Sequence, residues 1–186
     1  MSLFIILLSL ALWGVVHSFL ASHLAKDLFG MKRLYRLLYN IFSLVSFAPI
    51  LYLVATLEDA ALYQIPSPWS LVMRGGQLLA ALLLLVAVLQ TDTLSFVGLR
   101  QLFEEEKTGQ LVTRGLYKVV RHPLYLFSLL FLWLSPSMSV NSLVFNLGVT
   151  AYFIIGAYFE ERKLLRDFGE AYADYKRRTS FLIPGL

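Results

Sequence analysis

The stretch LYKVVRHPLYLF, residues 116–127, sets Arg121, His122 and Pro123, with Tyr117 and Tyr125, against a run of aliphatic and aromatic residues. Pro123 suits the first position of a helix, where its missing N–H would have no intrahelical partner in any case. A helix that begins there turns its free N–H groups and the positive end of its dipole toward Arg121 and His122. Cations beside a positive helix end are unfavourable unless an anion lies between them, so the residue types call for a lipid phosphate or a ligand carboxylate. A plainer alternative is that Arg121 reaches lipid headgroups while Tyr117 and Tyr125 sit in an interfacial aromatic belt. The same rings could instead offer their faces to a cation or a flat base.

A second place for chemistry is Glu160–Glu161, at the end of an apolar run. Carboxylates at a membrane boundary are paired or functional when buried. Neighbours on a helix point about 100° apart, so the two cannot act as one paired-carboxylate device. One can face the interior while the other faces water or Arg162 and Lys163; both could equally be the charged exit of a helix. In TGQLVTRG, residues 108–115, glycines bracket a short β-like piece, either a backbone ribbon for a ligand or a simple turn. The run Glu104–Glu106 reads as a solvated loop face. His17 shares a face with Trp13 and Ala21 by i, i+4 spacing. It is either an intramembrane functional group or a hydrogen-bonded packing residue. Asp92 can pair with Arg100 or mark an interface.

These residues are carried by a greasy chain. Of 186 residues, 58% are hydrophobic and 15% charged. Soluble domains are about 45–50% apolar and about 25% charged, so the composition is that of an integral membrane protein. There is no cysteine, hence no disulfide and no thiolate metal site. The histidines at 17, 23 and 122 lack metal-ligand spacing, and no metal is expected. A basic patch interleaved with aromatics, the mark of nucleic-acid binding, is missing. The length suits a single domain over 1–186, with helices one to three in 1–94 and the loop, hairpin and cap in 95–186.

A spanning helix needs roughly 20 apolar residues. Five segments qualify: residues 3–22, then about 37–57, about 76–94, a short one at about 123–138, and about 141–159. The first lacks a basic n-region and is read as a helix rather than a leader. The last two form an antiparallel hairpin. Fifteen of the sixteen Lys and Arg fall on one side of this five-helix scheme, which puts the N-terminus outside and the C-terminus in the cytoplasm. The expected fold is therefore all-α, a bundle of about five transmembrane helices. Phe168, Tyr172 and Tyr175, at i, i+4 and i+7, mark an amphipathic cytoplasmic helix that caps it.

The patterns LVTRGLYKVVRHPLY, EERKLLRDFGEAYADYKRR and the terminal IPGL resemble the isoprenylcysteine carboxyl methyltransferases and their phospholipid methyltransferase relatives, over roughly residues 109–184. Upstream, HSFLAS and SFVGLRQL are similar to the methanethiol S-methyltransferases, a bacterial branch, which points to an inner membrane. The resemblance implies an enzyme that uses S-adenosylmethionine (SAM). Carried over residue by residue, it implies cofactor contacts from Gly109, Gln110, Leu111 and Val112, from Tyr117, from His122, Pro123, Leu124 and Tyr125, and from Glu160, with Glu161 as its helper. The charge of Arg121 adds it to the cofactor contacts, and His122 and Glu161 are the candidate catalytic groups. The family carries a histidine at the position of Gly109, so that contact is made here by backbone alone. The prenylcysteine enzymes also carry an arginine where this chain has Gly156. The resemblance therefore favours a small or lipophilic thiol over a prenylcysteine carboxylate or a lipid amine.

Each part of SAM has a match. Arg121 or His122 with the helix end suits its carboxylate, Glu160 its ammonium or ribose, and Tyr117 or Tyr125 its ring or sulfonium. A thiolate acceptor needs little base catalysis, whereas an amine would need His122 or Glu161 as deprotonator. Membrane sterol reductases carry a similar RHxxY, so an NAD(P)H-dependent reductase is the second reading, although no dinucleotide motif accompanies it. A non-enzymatic membrane protein that retains the fold is the third. The residues set no oligomeric state.

Overall fold

The computed structural model of the chain describes residues 1–30, 33–104 and 110–185. Gly109, Lys32, Lys107 and the Glu105–Glu106 part of the acidic run lie outside the described residues. In chain order the elements are α1 (Ser2–Leu20), α2 (His23–Phe29), α3 (Tyr35–Thr56), β1 (Ala61–Gln64), α4 (Trp69–Gln90), α5 (Thr93–Val97), a 3₁₀ turn at Arg100–Leu102, a second at Gly115–Lys118, α6 (Pro123–Trp133), β2 (Ser137–Ser139), α7 (Val140–Phe168) and α8 (Glu170–Arg178). The architecture is all-α, with two short strands.

Four helices, α1, α3, α4 and α7, are long and apolar enough to cross a membrane, with mean hydropathies between 1.6 and 2.3. The fourth expected segment is helical but shorter than read. The 11 residues of α6 span roughly 16 Å at 1.5 Å per residue, against a hydrocarbon core of about 30 Å. Pro136, which lacks an N–H, follows two residues past Leu134 and prevents continuation. The fifth segment is longer than read. The 29 residues of α7 carry its charged end, Glu160 to Asp167, well past the apolar part. The helix stops at Gly169, whose φ of +54° is a conformation that favours glycine. The aromatic face expected of one cap helix is thus divided: Phe168 closes α7, while Tyr172 and Tyr175 are buried on α8.

The chain divides into two compact units, with α7 running through both. The first takes Met1–Leu62, Asp92–Thr108 and Met138–Gly148. In it Trp13 Nε1 donates to Ser46 Oγ at 3.0 Å. His17 stacks on Trp13 with ring centroids 4.5 Å apart, and its Nε2 lies 2.7 Å from Tyr39 Oη. His17 is a hydrogen-bonded packing residue between α1 and α3. Asp92 caps α5 through the Ser95 N–H and pairs with Arg100 at 3.0 Å. Asn40 Nδ2 donates to the carbonyls of Phe96 and Val97, which ties SFVG to α3.

The second unit takes Tyr63–Thr91, Gly109–Ser137 and Val149–Leu186. Here α4 packs on α6, with Gln77 Nε2 donating to the Phe131 carbonyl at 2.9 Å. Facing residues of α6 and α7 run in opposite directions. Near the end of α6, Trp133 Nε1 donates to Thr150 Oγ1 at 3.1 Å; near its start, Tyr125 meets Phe153 and Glu160. The pair is an antiparallel hairpin, as the short connection implied.

Candidate functional site

The second unit gathers the chemistry-bearing residues at the start of α6. Three local devices aim them. Gly115, at φ +60°, lets the chain turn against Gln90, whose side chain a Cβ would strike. Gln90 Oε1 then accepts from the Leu116 N–H at 2.8 Å, fixing the 3₁₀ turn that carries Tyr117. Beyond it Val120 forms a parallel bridge with Ser180, and the Arg121 N–H donates to the Ser180 carbonyl at 2.9 Å. Pro123 opens α6 with His122 as its N-cap residue, and the His122 side chain makes no capping hydrogen bond.

The glutamates separate as their 100° offset requires. Glu161 is buried, its side chain 8% exposed, whereas that of Glu160 is 46% exposed. Arg121 Nε donates to Glu161 Oε1 at 2.5 Å, and Lys176 Nζ lies 2.7 Å from Glu161 Oε2. The Arg121 guanidinium also donates to the Lys176 carbonyl at 3.1 Å and to that of Thr179. The anion that a cation beside a helix N-terminus calls for is therefore supplied by the protein itself.

Glu160 has a different setting. Tyr125 Oη donates to its Oε2 at 2.9 Å. Tyr125 is stacked between His122, 5.4 Å away and 8° off parallel, and Phe153, 4.8 Å away and 20° off parallel. The His122 ring also meets the edge of Phe181 at 5.2 Å. His122 Nδ1 is 3.7 Å from Glu160 and Nε2 is 3.5 Å from Glu161, and the buried Nε2 has no hydrogen-bond partner among the described residues.

Burial holds the His122 imidazole below its ordinary 6.5, with the charges of Glu160 and Glu161 opposing that effect and Arg121 adding to it. The ring is neutral at pH 7. Burial and the Glu160 charge push Tyr117 up to about 12, and burial pushes Tyr175 up to about 12. Both stay protonated, and Tyr175 Oη donates to the Tyr117 carbonyl at 2.5 Å.

Of the residues expected at the site, Tyr117, Arg121, His122, Tyr125, Glu160 and Glu161 come together. Pro123 is buried and Leu124 half-buried beneath them. The β-like piece does not form. Residues 110–113 have no regular structure, Gln110 is exposed, and Leu111 and Val112 are half-buried. The two described strands pair with each other, which leaves this segment without a ladder partner. Three site residues carried no sequence signal strong enough to single them out. Phe153, seven before Glu160, shares its helical face, a spacing that could have found it. Lys176 looked like one more tail cation, and Phe181 lies beyond any periodic element.

Sequence comparison adds named relatives. Over 100 residues the chain is 45% identical to Methanethiol S-methyltransferase 2 of Bradyrhizobium diazoefficiens, covering 51% of this chain and 39% of that protein. It is 37% identical over 109 residues to Methanethiol S-methyltransferase of Pseudomonas deceptionensis, covering 56% and 42%. With the Mycobacterium tuberculosis protein of that name it shares 42% over 69 residues, covering 37% and 28%. The expected similarity to methanethiol S-methyltransferases is met by these matches, although the aligned stretch spans less than half the length of each relative. No solved structure matches the chain significantly. One family model covers nearly all of it, residues 5–184, and the chain belongs to that family, the NnrU proteins.

Proposed function

We propose that this integral membrane protein is a SAM-dependent methyltransferase, acting as one domain, whose acceptor is a small or lipophilic thiol. The observation that carries the reading is the convergence of His122, Tyr125, Phe153 and Glu160 on one half-exposed cluster. The names of the relatives support it.

The residues present fit a zwitterionic sulfonium nucleotide. Glu160 is the exposed anion of the pair and suits an ammonium or ribose hydroxyls. Both faces of Tyr125 are covered, by His122 and Phe153, so a sulfonium or a flat base would use the remaining face of Phe153. The uncapped N–H groups of α6 suit a carboxylate; Arg121, committed to Glu161, is not needed for it. When bound, the cofactor supplies a methyl group on a positively charged sulfur. The chain's own work is to align the acceptor at about 3–3.5 Å from that group and to exclude water. As the acceptor S–H becomes S–CH₃, its proton leaves; in this reading neutral His122 takes it, with the charge of Glu161 behind the ring. Gly156, whose added Cβ would meet nothing within 4 Å, offers no cation to an acceptor carboxylate; this favours a thiol.

With α6 and the extended residues after it taken as one crossing, the Lys/Arg distribution supports a cytoplasmic site; the bacterial relatives support an inner membrane, and the acceptor arrives from the lipid side. The test is incubation of membranes with methyl-labelled SAM and a panel of methanethiol, longer thiols, ethanolamine lipids and prenylcysteine analogues. Label is expected in the thiols. Label in none, together with thermal stabilisation by NADPH and not by SAM, would replace this reading with a reductase.

A further inference from the structure

The His122 imidazole is buried, 5% exposed, yet among the described residues its buried Nε2 makes no hydrogen bond of ordinary geometry. Nδ1 is 3.7 Å from Glu160 and Nε2 is 3.5 Å from Glu161. N–H···O bonds cluster near 2.9–3.0 Å and are lost by 3.6 Å. The closest neighbours that fix the ring are aromatic: Tyr125 stacked on one side and Phe181 in a T-shaped contact on another. Tyr125 lies on the same helix as His122 and is tethered to Glu160. Phe181 comes from the far end of the chain and is delivered to the ring by a sequence of contacts.

That sequence is unusually complete for a chain end. The parallel bridge Val120–Ser180 sets the register. The Arg121 N–H donates to the Ser180 carbonyl, and its guanidinium donates to the Lys176 and Thr179 carbonyls. Lys176 adds its ion pair with Glu161, and Tyr175 its bond to the Tyr117 carbonyl. Once placed, Phe181 touches two consecutive site residues: its ring lies under the Arg121 guanidinium, 5.5 Å from centroid to Cζ, as well as against His122. Cation–π and edge-to-face contacts both have preferred geometries, so the ring transmits the register of the tail to the imidazole.

We propose that Phe181 is a positioning residue which sets the plane of the His122 ring at the candidate methyl-transfer site. Residues 175–181 form the strap that holds it there. The activity consequence rests on the methyltransferase reading; the effect on the ring does not. The groups that face His122 are Glu160 and Glu161 from α7, Arg121 and Tyr125 from its own segment, and Phe181 from the strap. Phe181 is the one apolar member delivered from the tail, and its loss admits water to a ring now kept dry.

The test uses the full chain in detergent micelles with isotope-labelled histidine. Only three histidines contribute, at 17, 23 and 122, and His122→Gln identifies the third. In Phe181→Ala the His122 titration midpoint is expected to rise toward 6.5, with ring signals broadened by motion. Phe181→Leu, which keeps apolar volume, guards against unfolding and should show the same broadening. Phe181→Tyr and Phe181→Trp should restore both signals. If thiol methylation is found, Phe181→Ala should lower kcat roughly ten- to a hundredfold, the scale of a small misplacement, and move the pH–rate limb with the midpoint. A His122 midpoint and line width unchanged in Phe181→Ala and Phe181→Leu would overturn the proposal, whatever the activity. A shifted midpoint in a protein that methylates nothing would uphold the positioning role and reject the methyltransferase reading.

Discussion

Arg121 and Glu161 lie 40 residues apart in the chain and meet through a 2.5 Å hydrogen bond, with side chains 9% and 8% exposed. Around this pair the helix start, the end of α7 and the C-terminal strap are tied together. A buried pair broken on one side leaves an unpaired charge at a cost of about 3–5 kcal/mol, whereas replacing both members by apolar groups is often nearly neutral. Glu161→Met leaves the buried Arg121 without its carboxylate and should lower stability by about 3 kcal/mol in a detergent unfolding titration; Arg121→Met should cost less, because Lys176 still pairs with Glu161. The double variant should recover most of the Glu161→Met loss. Additive losses would show that the two groups act independently.

The pH dependence has a definite sign. Burial holds His122 below 6.5 in the folded chain, so the unfolded chain binds more protons in the window between the folded value and 6.5. Stability therefore rises with pH through that window and levels off above it. Thermal unfolding followed from about pH 5 to about pH 8 should show this slope. His122→Gln should flatten it; an unchanged slope in that variant would assign the dependence elsewhere.

Glu160 and Tyr125 bear on the ligand more than on the fold, because Glu160 is half-exposed. Tyr125→Phe removes one hydrogen bond to a carboxylate, a loss of about 1.5–3 kcal/mol when the bond is fully formed and less at an exposed site. SAM affinity, measured by calorimetry, should fall about tenfold, the equivalent of about 1.4 kcal/mol. Glu160→Gln should fall further with little change in unfolding temperature. Retained affinity in both would place the cofactor away from this cluster.

Tyr175→Phe tests the strap while leaving every candidate cofactor side chain unaltered. It deletes the bond to the Tyr117 carbonyl and should cost about 1 kcal/mol. Limited proteolysis should then cut the chain end faster. Equal cleavage rates would mean the strap is held without that bond.

Much of this was legible in one dimension. Apolar runs of spanning length announced α1, α3, α4 and α7, because in hydrocarbon a helix is the one open-chain structure that satisfies its own backbone. Pro123 marked the start of α6. The 100° rule allowed Glu160 and Glu161 different settings but left a plain charged helix exit equally open. The Asp92–Arg100 pair and the packing of His17 were each one of two alternatives in the sequence, and the contacts decided them. The ends of elements were less so. The short α6 and the long α7 depend on where Pro136 and Gly169 act against strongly helical neighbours, and the β-like reading of residues 110–113 lacked the information that the two described strands pair with each other.

The residues alone determined the class of molecule, the helical segments and the types of group near the seam at Arg121 and His122, since these follow from local periodicity and composition. Tertiary structure decided which partner each group takes. Glu161, not an incoming ligand, neutralises Arg121, and Phe181, without any motif, reaches His122. Charge pairing and ring packing act between atoms a few ångströms apart in space, and the chain brings together residues 40 and 59 positions distant only once it has folded.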